Sequence, residues 1–584
     1  MFIRSSLILS AVAGALVLAG CSDQSADPQS VAPPADPVQT AEVIYQNANI
    51  YAVDPDNSWY PAMAVGEGRI VALGSEEEMA ALAGDDTRVV DLGGRMVMPG
   101  IHDTHIHPGD AGISATLECS FRGTSLEAAL SVLRGCIAAA EPGAWVRGGQ
   151  WNEVYFLGHP QSPKVILDEI APDNPVFLMD WSVHHAWVNS RALELLEIDD
   201  TTPDPKGGIV QRHPRSGETT GLLFDNAAYE QRKKLPRYSD EQNAQAMQWA
   251  LKEISQYGIT TIKDAIVTSD TMAAYQYLDK RSALPLRVKT ALTWKSAWAF
   301  SHQDEIDLMA NRAALTSERI DPNFAKIMLD GVPMTYTSAL LEPYEPNDVV
   351  GPDHTGELMI PADQLTADVI ELDRQGLNIK IHATGDAAAR AALDAFEAAR
   401  EANGDRGLLH EVSHAEMIHP DDVPRFKALG VAAEMCPILW YPIPGLAWET
   451  WFGRDRVPAW QVRTMHEAGA LVTYGSDWPV VPTANPWPGI ESMVTRQDPY
   501  SDAAQTLYPS ESVDLATAVR IFTHNSAIAN QVGDSSGSLE VGKDADFIVL
   551  SQNIFEVPIT SVGDTQVVMS VVAGEAVFGE DQLP

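Results

Sequence analysis

Six polar residues, each closing or just following a short apolar run, constrain this chain more than any other feature. They are His105 and His107 in MVMPGIHDTHIHP, Lys326 in FAKIMLDG, His382 in LNIKIHATG, His414 in LLHEVSHAE and Asp477 in ALVTYGSDWP. A fold in which they meet must bring the same end of several strands to one place. Imidazoles and carboxylates are the donors that zinc-like divalent ions favour, and four His with one Asp exceed what a single structural site takes. The pattern predicts a hydrolytic metal centre.

Eight short β-rich or apolar runs begin near positions 95, 258, 284, 324, 377, 408, 430 and 470, and helical patterns such as ADQLTADVIELDRQG separate several of them. This rhythm predicts an α/β fold, a (β/α)8 TIM-like barrel over 95–535, with catalytic residues at the C-terminal strand ends. The stretch from about 110 to 250 is too long for a βα loop and reads as an inserted lid subdomain over the barrel mouth. Short alternating strands with Gly-rich corners at 41–94, and again at 536–584, predict one small β-sandwich domain assembled from both termini.

The first residues read as an address rather than as fold. Residues 1–20 carry one positive residue, Arg4, and an apolar stretch from Leu7 to Ala19 too short to span a bilayer. Leu18-Ala19-Gly20-Cys21 resembles the bacterial lipobox, which predicts a lipoprotein signal peptide, a membrane anchor acylated at Cys21 and a Pro-rich tether over 21–40. Ser22 resembles the signal for outer-membrane sorting, so the expected location is the cell envelope, on the outer membrane or its periplasmic face. Export leaves a Cys119–Cys136 disulfide and a buried free thiol as equal alternatives, and Cys436 reads as barrel packing. With 39 Lys+Arg against 80 Asp+Glu, the net charge of −41 excludes nucleic acid as a partner.

Between Ala41 and Phe578 the chain resembles the amidohydrolase superfamily, in the branch that holds N-substituted formamide deformylases and related exoenzymes. The resemblance rests on PGIHDTHIHP, WVNSRAL, KIMLDG followed by ALLEPY, IHATGD, SHAE and the long segment GSDWPVVPTANPWPGIESMVTR. It implies a divalent metal, zinc being the expected ion, held by His105, His107, Lys326, His382, His414 and Asp477, with two ions where Lys326 is carboxylated. It also implies that His184, in WSVHHAWVNSRAL, polarises the substrate carbonyl. His185 is the adjacent alternative, and packing among Trp181 and Trp187 is the structural one.

The chemistry of each position fits. His105 and His107 stand at i and i+2 of an extended segment, so both rings leave one side. Lys326 sits among Phe324, Ala325, Ile327, Met328 and Leu329, where a desolvated amine loses its proton and can form a carbamate, a salt bridge to Asp330 being the alternative. Asp477 can ligate the ion and also shuttle the proton. His410-Glu411-Val412-Ser413-His414 spells the HExxH of zinc peptidases, but that motif needs a helix and this run reads as a strand, so the match is taken as chance.

The reading is an enzyme, a metal-dependent hydrolase that cleaves a C–N bond of an amide, formamide or cyclic amide by attack of metal-bound hydroxide. An esterase or lactonase on the same centre, a zinc peptidase and an inactive binding lipoprotein are the alternatives. The expected partner is a small neutral amide, since the acidic charge disfavours anions and the lid is rich in Trp151, Tyr155, Phe156, Trp181 and Trp187. A homodimer is left open.

Overall fold

Residues 40–121, 125–347, 349–441, 444–453, 458–501 and 506–579 are described by the computed structural model. The signal peptide, Cys21 and all of the tether except Thr40 lie outside the described residues. No described helix is long and apolar enough to cross a membrane.

Eight parallel strands pair in chain order: β1 (Ile101–Ile106), β2 (Ile259–Val267), β3 (Arg287–Thr293), β4 (Ile320–Met328), β5 (Asn378–Ala383), β6 (Glu411–His414), β7 (Ala432–Met435) and β8 (Leu471–Tyr474). Side chains draw β8 back to β1, because Thr104 Oγ1 donates to the Tyr474 carbonyl at 2.8 Å. Just beyond, the Asp477 N–H donates to the His105 carbonyl at 2.7 Å and the His107 N–H to the Trp478 carbonyl at 2.8 Å. The ring is a nearly closed barrel. Its strands alternate with period two, so that in β5 Lys380 and His382 share one face while Ile379 and Ile381 take the other.

The first barrel strand differs from the expected one. RMVMP, expected to open the barrel, ends the long strand Ala83–Pro99 of a separate sheet, and the barrel begins with IHDTHI. Every residue of that polar strand is buried. Its polar side chains find partners on both faces, His105 on Glu434 and His102 on Ser536 Oγ at 3.2 Å, which is why an apolar pattern misplaces it.

The separate sheet joins both ends of the chain. Strands Ala41–Tyr51, Trp59–Tyr60, Ala62–Gly66, Arg69–Gly74 and Ala83–Pro99 are continued by Phe547–Leu550, Val567–Val572 and Glu575–Phe578, with Phe547–Leu550 antiparallel to Ala83–Pro99. Tyr45, Ile50, Met63, Val65, Phe547 and Val549 form its core.

Between β1 and β2 a six-stranded sheet is inserted, made of Cys119–Ser120, Val146–Trp151, Val176–Asp180, His185–Val188, Gly208–Arg212 and Thr219–Asp225. Cys119 and Cys136 are joined by a disulfide that ties the first of these strands to helix Leu126–Ala139. Helix Asp240–Ser255 lies within the stretch read as lid, yet Ala244, Met247, Ala250, Leu251 and Ile254 pack in the barrel core. The inserted segment therefore ends before this helix.

Candidate metal centre

The C-terminal strand ends carry the predicted residues. His105 lies in β1 and His107 one residue past it, Lys326 near the end of β4, His382 in β5, His414 at the last position of β6, and Asp477 three residues past β8. All six, with His184 from the insertion, line one cavity. Single donor atoms of His105, His107 and Asp477 fall within 4.8 Å of one another, and so do those of His105, His414 and Cys436. His107 Nε2 is 3.1 Å from Asp477 Oδ1, and His105 Nε2 is 3.5 Å from the same oxygen. The rings of His105 and His414 are 4.6 Å apart, and those of His382 and His414 4.5 Å.

Local backbone geometry sets these positions. His414 and Asp477 have φ of +68° and +59°, a region that costs a non-glycine residue roughly 1–3 kcal/mol and persists where surrounding structure enforces it. Next to Asp477, Gly475 passes so close to β1 that a Cβ would stand 2.5 Å from His105 Cβ and 2.6 Å from Glu434 Oε1. Only glycine admits that approach.

Burial keeps the imidazoles neutral, which is the ligating form. The pKa values of His105, His382 and His414 all fall well below the usual histidine range, first through burial and then through nearby positive groups. Each ring is also oriented. His105 Nδ1 faces Glu434 Oε2 at 2.6 Å, so the proton sits on Nδ1 and Nε2 keeps its lone pair toward Asp477. His382 Nε2 donates to the Gly331 carbonyl at 3.1 Å, which leaves Nδ1 for a ligand. This donor set of imidazoles and a carboxylate fits a divalent ion.

Lys326 forms no ion pair with Asp330. Its Nζ is 3.4 Å from His105 Nε2, inside the ligand cluster, and burial followed by the charge of Lys380 lowers its pKa to about 7. Asp330 instead accepts from the N–H groups of Ala339, Thr384 and Gly385 at 3.0, 3.1 and 2.9 Å and ties the loops after β4 and β5 together.

His184 faces the cavity and His185 does not. His184 Nδ1 bonds Asp225 Oδ1 at 2.8 Å, and its ring lies 5.7 Å from that of His382. Burial opposes its charge, but the hydrogen bond and charge of Asp225 outweigh burial and raise its pKa. His185 packs edge-on against Phe224 at 4.9 Å, with neither ring nitrogen hydrogen-bonded among the described residues.

One reading holds and two expectations are corrected. The HExxH spelling is no peptidase site, because its last four residues form a strand and His410 is spent elsewhere: Nε2 bonds Asp373 at 3.1 Å, Nδ1 accepts from the Ile379 N–H at 3.1 Å, and the ring stacks on Phe396. Cys436 is buried, as packing requires, but it also faces the site, donating to Glu434 Oε1 at 3.0 Å and standing 3.7 Å from His414 Nδ1. Trp151 and Trp187 are not cavity wall. Both are fully buried in the core of the insertion, with their indole N–H groups bonded to the carbonyls of Leu178 and Pro163. The wall is formed by Trp181, Val332, Met334, Leu439 and Val480.

Sequence reasoning missed the residues beneath the ligands. Glu434, at the third position of β7, accepts from His105, from Lys380 Nζ at 3.2 Å, from the His414 N–H at 3.3 Å and from Cys436. Lys380 continues to Glu411 Oε2 at 3.0 Å, and Glu411 to Lys263. Although burial pushes the Glu434 carboxyl up, Lys380 and His105 hold it well below the usual range. A lone charge in an otherwise apolar run, Glu434 in GVAAEMCP, was the available signal. Glu416, also on the cavity, is raised well above the carboxylate range by burial and by Asp330, Asp477 and Glu434.

Residues 88–578 match the model of a family described as the amidohydrolase family. The chain is 30% identical over 541 residues to the protein LONG AFTER FAR-RED 3 of Arabidopsis thaliana, covering 90% of each chain. It is 28% identical to an N-substituted formamide deformylase of Arthrobacter pascens, covering 92% of this chain and 98% of the relative. An uncharacterized metal-dependent hydrolase of Pyrococcus horikoshii shares the fold, with a TM-score of 0.70 at 23% identity over 88% of this chain and 99% of that one.

Proposed function

We propose that this chain, which belongs to the amidohydrolase family and is a hydrolase, uses a divalent metal to open a carbon–nitrogen bond of a small amide, formamide or cyclic amide. One observation carries the reading. The donor atoms of His105, His107 and Asp477 gather within 4.8 Å on the same cavity that the Asp225-oriented His184 lines. The N-substituted formamide deformylase among the relatives supports a C–N bond as the one that breaks.

His105, His107 and Asp477 would hold one ion, and His382, His414 and Lys326 as its carbamate a second, with zinc as the expected metal. Such ions supply Lewis acidity and acidify water to near neutrality. Asp477 accepts the proton of the attacking water and returns it to the leaving nitrogen. His184 donates a hydrogen bond to the carbonyl oxygen as charge develops there, held in position by Asp225. Glu434 keeps the Nε2 lone pair of His105 free. The walls near the ligands, Val332, Met334, Leu439 and Val480, suit a neutral reacting end.

The test is hydrolysis of matched amides, formamides and esters by metal-loaded enzyme and by His105→Ala. Cleavage of amides or formamides that disappears in the variant is expected. Cleavage of esters alone, or full activity in His105→Ala, would overturn the reading. The lipobox supports a place in the cell envelope, anchored at Cys21. Fractionation should find the wild type with membranes and Cys21→Ser free of them, and a cytoplasmic wild type would reject the anchor.

A further inference from the structure

We propose that a second cavity, adjoining the ligand cluster, is a subsite for a carboxylate that the substrate carries at the end away from its scissile bond. This rests on the reading that the substrate reacts at the cluster. The second cavity shares His107, Asp110, Tyr229, Ile266 and Trp298 with the first, so one molecule can extend through both.

Its wall runs against the charge of the whole protein. Arg147, Arg232, Lys233 and Arg237 line it, opposed by Asp110, Asp264 and Asp270, in a chain of net charge −41. Screening confines bulk repulsion to about 8 Å at physiological salt, so the local wall decides what is held. Arg232 is the centre of the argument. Its Nη2 bonds Asp110 Oδ1 at 2.5 Å and its guanidinium lies 4.3 Å over the Trp298 ring, while Nη1 has no hydrogen-bond partner among the described residues. The group is thus held flat with donor capacity uncommitted, the arrangement in which arginine recognises a carboxylate. Arg147 and Arg237 lie over Tyr238 and Phe300 at 4.4 and 3.9 Å and are paired with Glu118 and Asp270. Lys233 forms no ion pair among the described residues. The Tyr229 hydroxyl and Trp298 Nε1 are also buried without hydrogen-bond partners among the described residues. Uncommitted donors outnumber acceptors here, which selects an oxygen-rich anion. The substrate is then neutral at its reacting end only, a departure from the wholly neutral amide that the overall charge suggests.

The test uses ligands that cannot be hydrolysed. Aryl ketones bearing a terminal carboxylate on chains of two to five methylenes, each paired with the same ketone lacking the carboxylate, are titrated calorimetrically into metal-loaded protein. The best acid should bind roughly tenfold more tightly than its ketone. Arg232→Met should remove most of that advantage, and Lys233→Met, at a side chain with no ion pair among the described residues, should reduce it and guards against misfolding of the first variant. Equal binding of acids and ketones, or binding of neither, overturns the proposal. So does an acid preference that survives both variants, since the carboxylate would then be held by the metal. Because no bond breaks, a positive result alongside uncleaved amides would count against the functional reading and not against the subsite.

Discussion

Beneath the ligands the barrel is filled by Lys263, Glu411, Lys380 and Glu434, a run of buried charges that ends on His105, whereas the inserted subdomain is filled by Trp151, Phe156, Trp187 and their neighbours. The two interiors are equally buried and oppositely built. Buried charges are costly unless each is paired, and apolar replacements often serve stability as well or better. Their value here is positional, since the last carboxylate sets which nitrogen of His105 faces the cluster. The insertion keeps a positioning carboxylate only where it meets the cavity, with Asp225 orienting His184, and fills its core with aromatic packing.

Variants can break this contrast. The largest effect is expected at the cluster itself: Asp477→Asn should lower kcat by about 10²–10⁴-fold through loss of the proton shuttle, and a kcat within a factor of a few of wild type would remove Asp477 from the chemistry. Next come two substitutions of similar cost and different consequence. Lys380→Met leaves Glu434 and Glu411 underpaired and should cost about 3–5 kcal/mol in denaturant unfolding, with activity falling along with stability. Trp151→Ala should cost about 3–5 kcal/mol by opening a cavity in the insertion, with kcat/KM of the folded enzyme nearly unchanged. A raised KM in Trp151→Ala without destabilisation would return that indole to the substrate wall.

Legibility followed the same divide. His105, His107, His382, His414 and Asp477 were readable because a polar residue at the end of an apolar run interrupts a pattern, and the barrel was readable from the spacing of those runs. IHDTHI does not read as the first strand because polar side chains are buried on both of its faces, so the usual alternation marks nothing. Glu434 and Lys263 sit within their runs and pair with residues far away in the chain, a relation no local pattern contains. Trp151 and Trp187 were placed in the wall because an indole has the same pattern in a core as beside a substrate.

A milder change sharpens the comparison. Glu434→Gln keeps the shape of the side chain but removes the charge that His105 and Lys380 face, and should weaken metal binding about 10–100-fold with the insertion's own stability intact. Metal titration of the apo-enzyme would measure it, and unaltered affinity would reduce the buried charges to a packing role.

The central claim is that these strand ends hold a metal. Anomalous diffraction at the absorption edge of the bound metal, from crystals of the wild-type protein, tests it most directly. The account predicts about two ions per chain, one against His105, His107 and Asp477 and one against His382, His414 and Lys326. No anomalous peak at this cluster, or a single peak at His410 and Glu411, would contradict it.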